Sequence, residues 1–240
     1  MPETLHERYD RDEQRLVATA SDELWTDALV DLVVDVAAPI LDGASWRGVP
    51  EDAPPRWSER RTAALSLAAI ALRATRTVAL TVRAGYGAEA QADLRRLQEA
   101  AGHARKVAAD LSGQYAENWL HGRGKAGKPR TAWGSDPQAD RLWELMSYAH
   151  ADFEHYASRS AVLDEDRRII HHIGPSRDPL WDNVCLWLAA RQFTAVLACV
   201  LTVRPDLDQA DFLAAAEQVV AGEERLAVEL ETKALMSAGG

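Results

Sequence analysis

The sequence predicts an all-α fold, a single helical bundle of about six main helices. Three observations predict it. Apolar residues make up 47% of the chain and aromatics only 7%, with Ala and Leu leading, a composition that suits close helix packing better than a pleated sheet. Between residues 88 and 111, Ala90, Leu94, Leu97, Ala101, Ala104, Ala108 and Leu111 alternate spacings of four and three, which puts them on one stripe of a 3.6-residue period. Residues 179 to 203 are apolar on nearly every side, broken mainly by Arg191, Gln192 and Thr194, the pattern of a helix enclosed by others. At 240 residues without a long linker, one domain covers residues 1–240. Its core is 61–203, flanked by an N-terminal helix and connector (1–60) and a C-terminal helix (206–240).

Taken in order, the first helix is expected to start after Asp12 and run to Ala38, with Leu16, Leu24, Ala28, Val33 and Val36 inward and Pro39 ending it. Residues 42 to 57, with Gly43, Gly48, Pro50, Pro54 and Pro55, read as a connector. Ser58 is a fitting N-cap for a second helix running to Arg83. Gly85 and Gly87 around Tyr86 make a tight break before the third helix, residues 88 to 111. Residues 114 to 121 continue as a short helix, and residues 122 to 137 form a loop. A fourth helix is expected over 138 to 157. An acidic turn at 164 to 166 then leads to a helix terminus at His171-His172-Ile173-Gly174-Pro175, capped by Gly and stopped by Pro. Residues 179 to 203 have the length of a membrane span, but Arg191 near the middle and acidic flanks favour a central buried helix. The last helix starts after Pro205, with Asp206 or Asp208 as cap, and ends before Gly239.

Charge is segregated along this chain. Residues 61 to 130 hold 12 Lys/Arg against 5 Asp/Glu, while the chain as a whole carries −10 with a pI near 5.2. That balance disfavours indiscriminate binding to DNA or an anionic membrane, because the long-range field repels polyanions. A local basic patch remains able to contact RNA or an acidic protein, unless the basic middle packs against its own acidic flanks. The patch candidates are Arg123, Lys125, Lys128 and Arg130 in the Gly-rich loop, with Trp119 and Trp133 flanking it as stacking surfaces or packing anchors. Residues 1 to 15 lack the apolar segment of a secretory signal, so the expected location is the cytoplasm. Cys185 and Cys199 fall on one helix, roughly 21 Å apart at 1.5 Å per residue, and are expected to be reduced.

Arg95, Glu99 and His103 are successive i,i+4 neighbours, and Arg96 is i,i+3 from Glu99, so one carboxylate can bridge two cations. Periodicity places this row opposite the Ala/Leu stripe, on a solvated face. Small residues Ala88, Ala92 and Gly102 would instead let another helix cover it and make it an internal site. His150, with His155 five residues later, is an acid/base or phosphate-binding candidate. The Glu/His pairs at 99/103 and 117/121 do not reproduce di-iron spacing, no Cys/His zinc spacing exists, and no cofactor or metal is expected. The 121–130 loop lacks the Gly-Lys-Ser/Thr order of a P-loop. Arg167 and His172 fit a loose Arg-x4-His pattern of the kind used by helical HEPN-class ribonucleases.

The segments Arg83-Ala84-Gly85-Tyr86-Gly87-Ala88-Glu89-Ala90, Leu94-Arg95-Arg96-Leu97-Gln98-Glu99 and Ser147-Tyr148-Ala149-His150 resemble an uncharacterised bacterial family of small all-α proteins, a domain of unknown function. In that family the helix after the Gly-Tyr turn reads Leu-x-Arg-Ser-Leu-x-Glu, and a later helix carries Ser-x-x-x-His or a close variant. Arg95, Leu97 and Glu99 fit; Arg96 stands where the family has Ser. The resemblance covers about residues 60 to 200 and implies a distantly HEPN-like bundle, with a role in nucleic-acid-directed defence or stress. It also implies that Arg95, Glu99 and His150 converge inside the bundle, as a site or as a network fixing helix register.

Three functions follow as expectations. The leading one is a non-enzymatic helical interaction protein, homodimeric through apolar helix faces and without a membrane role, whose basic middle contacts an anionic partner. The second is a metal-independent HEPN-like ribonuclease using Arg167, His172 or the Arg95/Glu99/His150 set. The third is a small-molecule enzyme of a biosynthetic cluster, with the polar row lining a pocket.

Overall fold

The computed structural model describes residues 4–46, 48, 53–87, 89–123, 161–163, 169–171 and 175–238. Among them are seven helices: α1 (Leu5–Glu23), α2 (Asp27–Trp46), α3 (Trp57–Arg83), α4 (Gln91–Ala109), α5 (Gln114–Leu120), α6 (Pro179–Val203) and α7 (Ala210–Ala238). Two three-residue strands, β1 (Ala161–Leu163) and β2 (Ile169–His171), pair antiparallel. The architecture is an all-α bundle. Residues 138 to 157, expected as a helix, lie outside the described residues.

The first expected helix is two helices. Thr4 accepts from Glu7 N while the Glu7 carboxylate accepts from Thr4 N, a capping box that starts α1 at Leu5, ahead of the start expected after Asp12. The break at Leu24 to Thr26 contains no Gly or Pro. It is fixed from a distance: Asn183 of α6 accepts from both the backbone N and the hydroxyl of Thr26, at 3.1 and 2.7 Å. Pro39 does not end α2 but sits inside it. Its missing N–H strands the carbonyl four residues back, at Asp35, and both residues are exposed, so water can serve that carbonyl. The buried stripe of α2 is Val30, Val33, Ala37, Ile40 and Ala44; Ala28 is exposed and Val36 only partly covered. Leu16, Leu24 and Val33 point inward as expected.

Helix α3 starts one residue before Ser58. Its N-cap is Arg56 in the left-handed region (φ 54°) and supplies no side-chain cap; Ser58 instead bonds Glu59. Helix α4 is shorter than the 88–111 expected, and its stripe is buried from Ala90 to Ala104, with Ala108 half-covered and Leu111 exposed. Helix α6 has the expected bounds, with Asp178 accepting from Trp181 N as N-cap and Pro179 at the first position. Asp208 accepts from Ala210 N to start α7, while Asp206 is engaged by Arg204. The expected helix terminus before Pro175 is corrected, because His171 closes strand β2.

The core lies where α3, α4 and α6 meet, with α2 and α7 covering α6 from the other side. α3 and α6 are each long and apolar enough, by length and composition, to cross a membrane; 78% of the most apolar window of α6 is buried inside the bundle. Alanines Ala63, Ala64, Ala68, Ala71 and Ala74 on α3 and Ala100, Ala101 and Ala104 on α4 carry no bulk beyond Cβ, so the helix backbones approach closely. Cys185 and Cys199 are free and buried, and burial pushes the Cys199 thiol up to about 11.

The turn between α3 and α4 ties four segments. Arg83 donates to both oxygens of Asp27 (2.9 and 3.0 Å) and reaches Asp31 at 2.9 Å. Tyr86 donates to Glu13 of α1, a bond that pushes its phenol up to about 12. Ser176 N donates to Gly85 O at 2.9 Å. Gly85 has φ +87°, and a Cβ there would lie 2.4 Å from Leu16 Cδ1 and 3.1 Å from Ser176 N. Gly85→Ala is therefore expected to destabilise by roughly 2 kcal/mol or more, read as a drop in urea midpoint at constant slope; an unchanged midpoint refutes the tight turn.

Candidate functional site

The polar row on α4 forms on the rim of the helix. Arg95 Nε lies 3.5 Å from Glu99 Oε1, with side chains 39% and 44% exposed. An ion pair that open contributes little on its own. Arg96 pairs with Asp93 at 2.9 Å rather than joining Glu99, so the carboxylate does not bridge the two arginines. Of the small residues expected to admit a covering helix, Gly102 is buried and Ala92 is exposed.

The last member of the row has the closest partner. His103 Nδ1 is 2.6 Å from the hydroxyl of Tyr115 on α5, and the rings stack at 6.2 Å. Trp119, one turn further along α5, lies 6.1 Å from the imidazole, and the Lys106 ammonium sits 5.4 Å over the Tyr115 ring. Burial, aided by Lys106 and opposed by Glu99, holds His103 below the ordinary imidazole range. Burial also raises Tyr115. The pair is thus a neutral imidazole against a protonated phenol at neutral pH, a combination able to move a proton or to orient a polar ligand.

What places Tyr115 there is the turn before α5. Asp110 accepts from Ser112 N, from the Ser112 hydroxyl and, at 2.6 Å, from Tyr115 N, and these bonds lower its carboxyl. Gly113 has φ +70°, and a Cβ there would lie 2.7 Å from Arg56 Cβ. Sequence spacing did not pair His103 with Tyr115 because the contact crosses a chain reversal. Its only signal is the Asp-x-Ser-Gly turn, which folds α5 back onto α4.

Of the other sequence candidates, His150, Arg167, His172, Lys125, Lys128 and Arg130 lie outside the described residues. Arg123 is exposed at the end of α5, its backbone N donating to Asn118 O at 2.8 Å. Among the described residues, no three His, Cys, Asp or Glu side chains gather as a metal would require.

Much of the basic segment is engaged by the protein itself. Arg61 donates to Ala44 O and Ser45 O at the end of α2. Arg83, Arg95 and Arg96 hold carboxylates. Packing against the acidic N-terminal flank therefore occurs, through Arg83 to Asp27 and Asp31. Arg73 and Arg76 differ: both are exposed on the outer face of α3 and make no ion pair among the described residues. Their neighbours on that face are Ala69, Ile70, Thr77 and Leu80, with Leu80 62% exposed and no acid among them. These two arginines were missed as candidates, although removing the buried stripe Ala64, Leu67, Ala71, Ala74 and Val78 from the helix would have left them outward.

The unfolded chain binds a proton at position 103 more readily than the folded one. Stability should therefore fall as pH drops below the ordinary imidazole value of 6.5 toward the lower folded value. His103→Gln is expected to flatten that part of a plot of urea midpoint against pH, and an identical slope in the variant would show that the ring is not desolvated. No family model, no curated protein and no solved structure matches this chain.

Proposed function

We propose that this chain is a non-enzymatic helical interaction protein whose basic middle engages an anionic partner, and that the contact is the outer face of α3. The observation that carries the reading is the pair Arg73 and Arg76, exposed beside Leu80 and Ile70 with no acid on the face. Exposed charges alone give little affinity, since salt screens them over about 8 Å. Here they flank apolar surface whose burial contributes about 25 cal/mol per Å2, so charge selects the partner and the apolar groups hold it.

That chemistry fits an acidic amphipathic helix laid along α3 better than RNA. The exposed face from Ala69 to Leu80 has no aromatic ring on which a base could stack, and the net charge of −10 opposes a polyanion. Changing Arg73 and Arg76 together to Ser is expected to weaken binding of a synthetic acidic amphipathic peptide roughly tenfold, measured by fluorescence anisotropy. The loop variant with Arg123, Lys125, Lys128 and Arg130 changed to Ser serves as comparison. Loss of binding in the loop variant with full binding in the α3 variant would move the contact to the loop.

A second reading, a small-molecule enzyme, is favoured by the 2.6 Å His103–Tyr115 contact. A turnover found by substrate screening that is abolished by Tyr115→Phe and kept by the α3 variant would establish it in place of the first.

A further inference from the structure

We propose that the anionic partner of α3 is α7 of a second copy of this chain. The proposal rests on the interaction reading above and names its occupant. Helix α7 buries one narrow stripe, Phe212, Ala215, Val219, Gly222 and Leu226, against α6 and α2. Its outer face is a second stripe, Leu213, Glu217, Val220, Glu224, Ala227 and Glu231, at spacings of four and three, and every one of these residues is exposed. Leu213 is 55% and Val220 64% exposed, more than a face meant for water requires. Glu217, Glu224 and Glu231 make no ion pair among the described residues. Arg225 on the same helix is held by Glu229 and lies 4.1 Å over Trp25.

The outer stripe of α3 has the same rhythm and the opposite sign: Ala69, Arg73, Arg76 and Leu80 step by four, three and four. The α7 stripe alternates apolar and acidic positions, and the α3 stripe brackets two adjacent arginines with apolar residues, so two helices laid side by side can bury Leu80 and Ile70 against Leu213 and Val220 while Arg73 and Arg76, splayed to either side of Val220, reach Glu217 and Glu224. Neither stripe suits a copy of itself, because α3 on α3 opposes arginines and α7 on α7 opposes glutamates. Two different patches therefore meet, and the assembly is head-to-tail, closing into a ring of two or more copies or extending as a chain.

The test is the association state of the full chain in sedimentation velocity, from micromolar to submillimolar concentration. The wild type is expected to associate. The double variants R73E/R76E and E217R/E224R are each expected to sediment as 26.4 kDa monomers. An equimolar mixture of the two should associate again, because each supplies the face the other still matches, and no fold defect can produce that rescue. Leu213→Ser with Val220→Ser should weaken association roughly tenfold without changing any charge. A monomeric wild type, reversed variants that associate like the wild type, or a mixture that stays monomeric overturns the proposal. A monomeric wild type that still binds the acidic peptide through Arg73 and Arg76 overturns it while leaving the interaction reading in place.

Discussion

Helix C-termini closed by guanidinium groups from other elements are the constraint on which the rest of this bundle depends. The last carbonyls of a helix have no intrahelical partner and carry partial negative charge, and where the end is packed against protein, water cannot serve them all. Arg60 donates to Val107 O and Ala108 O at the end of α4, at 3.3 and 2.9 Å. Arg61 and Arg204 both reach Ala44 O at the end of α2, at 2.8 and 3.2 Å, and lie 5.6 and 5.5 Å from the Trp57 ring. Arg177 reaches Arg83 O at the end of α3, at 2.7 Å. Two of these are deeply enclosed, Arg204 with 1% and Arg177 with 4% of the side chain exposed, and each is balanced by a carboxylate, Asp206 and Glu23. Only Arg offers five donors in a planar fork, so Lys could not replace it at these ends without leaving a carbonyl open. A part of the chain's basic charge is thereby committed to architecture before any partner is met.

The interface of α4 with α6 shows a second use of polarity inside the core. α3 runs antiparallel to both, since Trp57 donates to Val203 O at one end and Ser176 meets Gly85 at the other, so α4 and α6 are parallel. Cys185 lies by Gly87 O, and Cys199 feels the charge of Arg105. Seven residues back from Cys199 and Arg105 are Gln192 and Gln98, both buried, each with its amide oxygen unpartnered. Two such oxygens cost stability relative to leucines.

Legibility followed the range of the interactions involved. Helix α6 and the stripe of α4 were readable because burial imposes a period that the residues themselves carry. The break between α1 and α2 was not, because Thr26 is stopped by Asn183, 157 positions away, and no local residue forbids a continuing helix. Pro39 misled for the converse reason: its local rule assumes that the freed carbonyl is costly, and on an exposed face it is not. At the candidate site, Arg95 and Glu99 were readable as an i,i+4 pair, whereas the His103–Tyr115 bond depends on the Asp110 turn. Arg73 and Arg76 carry no motif at all. They become visible only by subtraction, once the buried face of α3 is known.

Opposite stripes on a chain of net charge −10 give self-association an unusual dependence on salt. Two copies repel through their whole charge, acting across tens of ångströms, and attract through contacts of about 4 Å between guanidinium and carboxylate. Screening removes the long interaction first: at physiological ionic strength the Debye length is about 8 Å, so the net repulsion is largely gone while contact pairs persist. At still higher salt the contacts weaken in turn, and the apolar residues Leu80, Leu213 and Val220 are left to hold the interface. Association should therefore be weakest at very low salt, rise to a maximum at moderate salt and decline again. A purely apolar interface would strengthen monotonically, and one made only of exposed ion pairs between nearly neutral surfaces would weaken monotonically. Sedimentation across a salt series thus separates the mechanisms without any mutation, because the sign of the slope at each end reports which interaction dominates there.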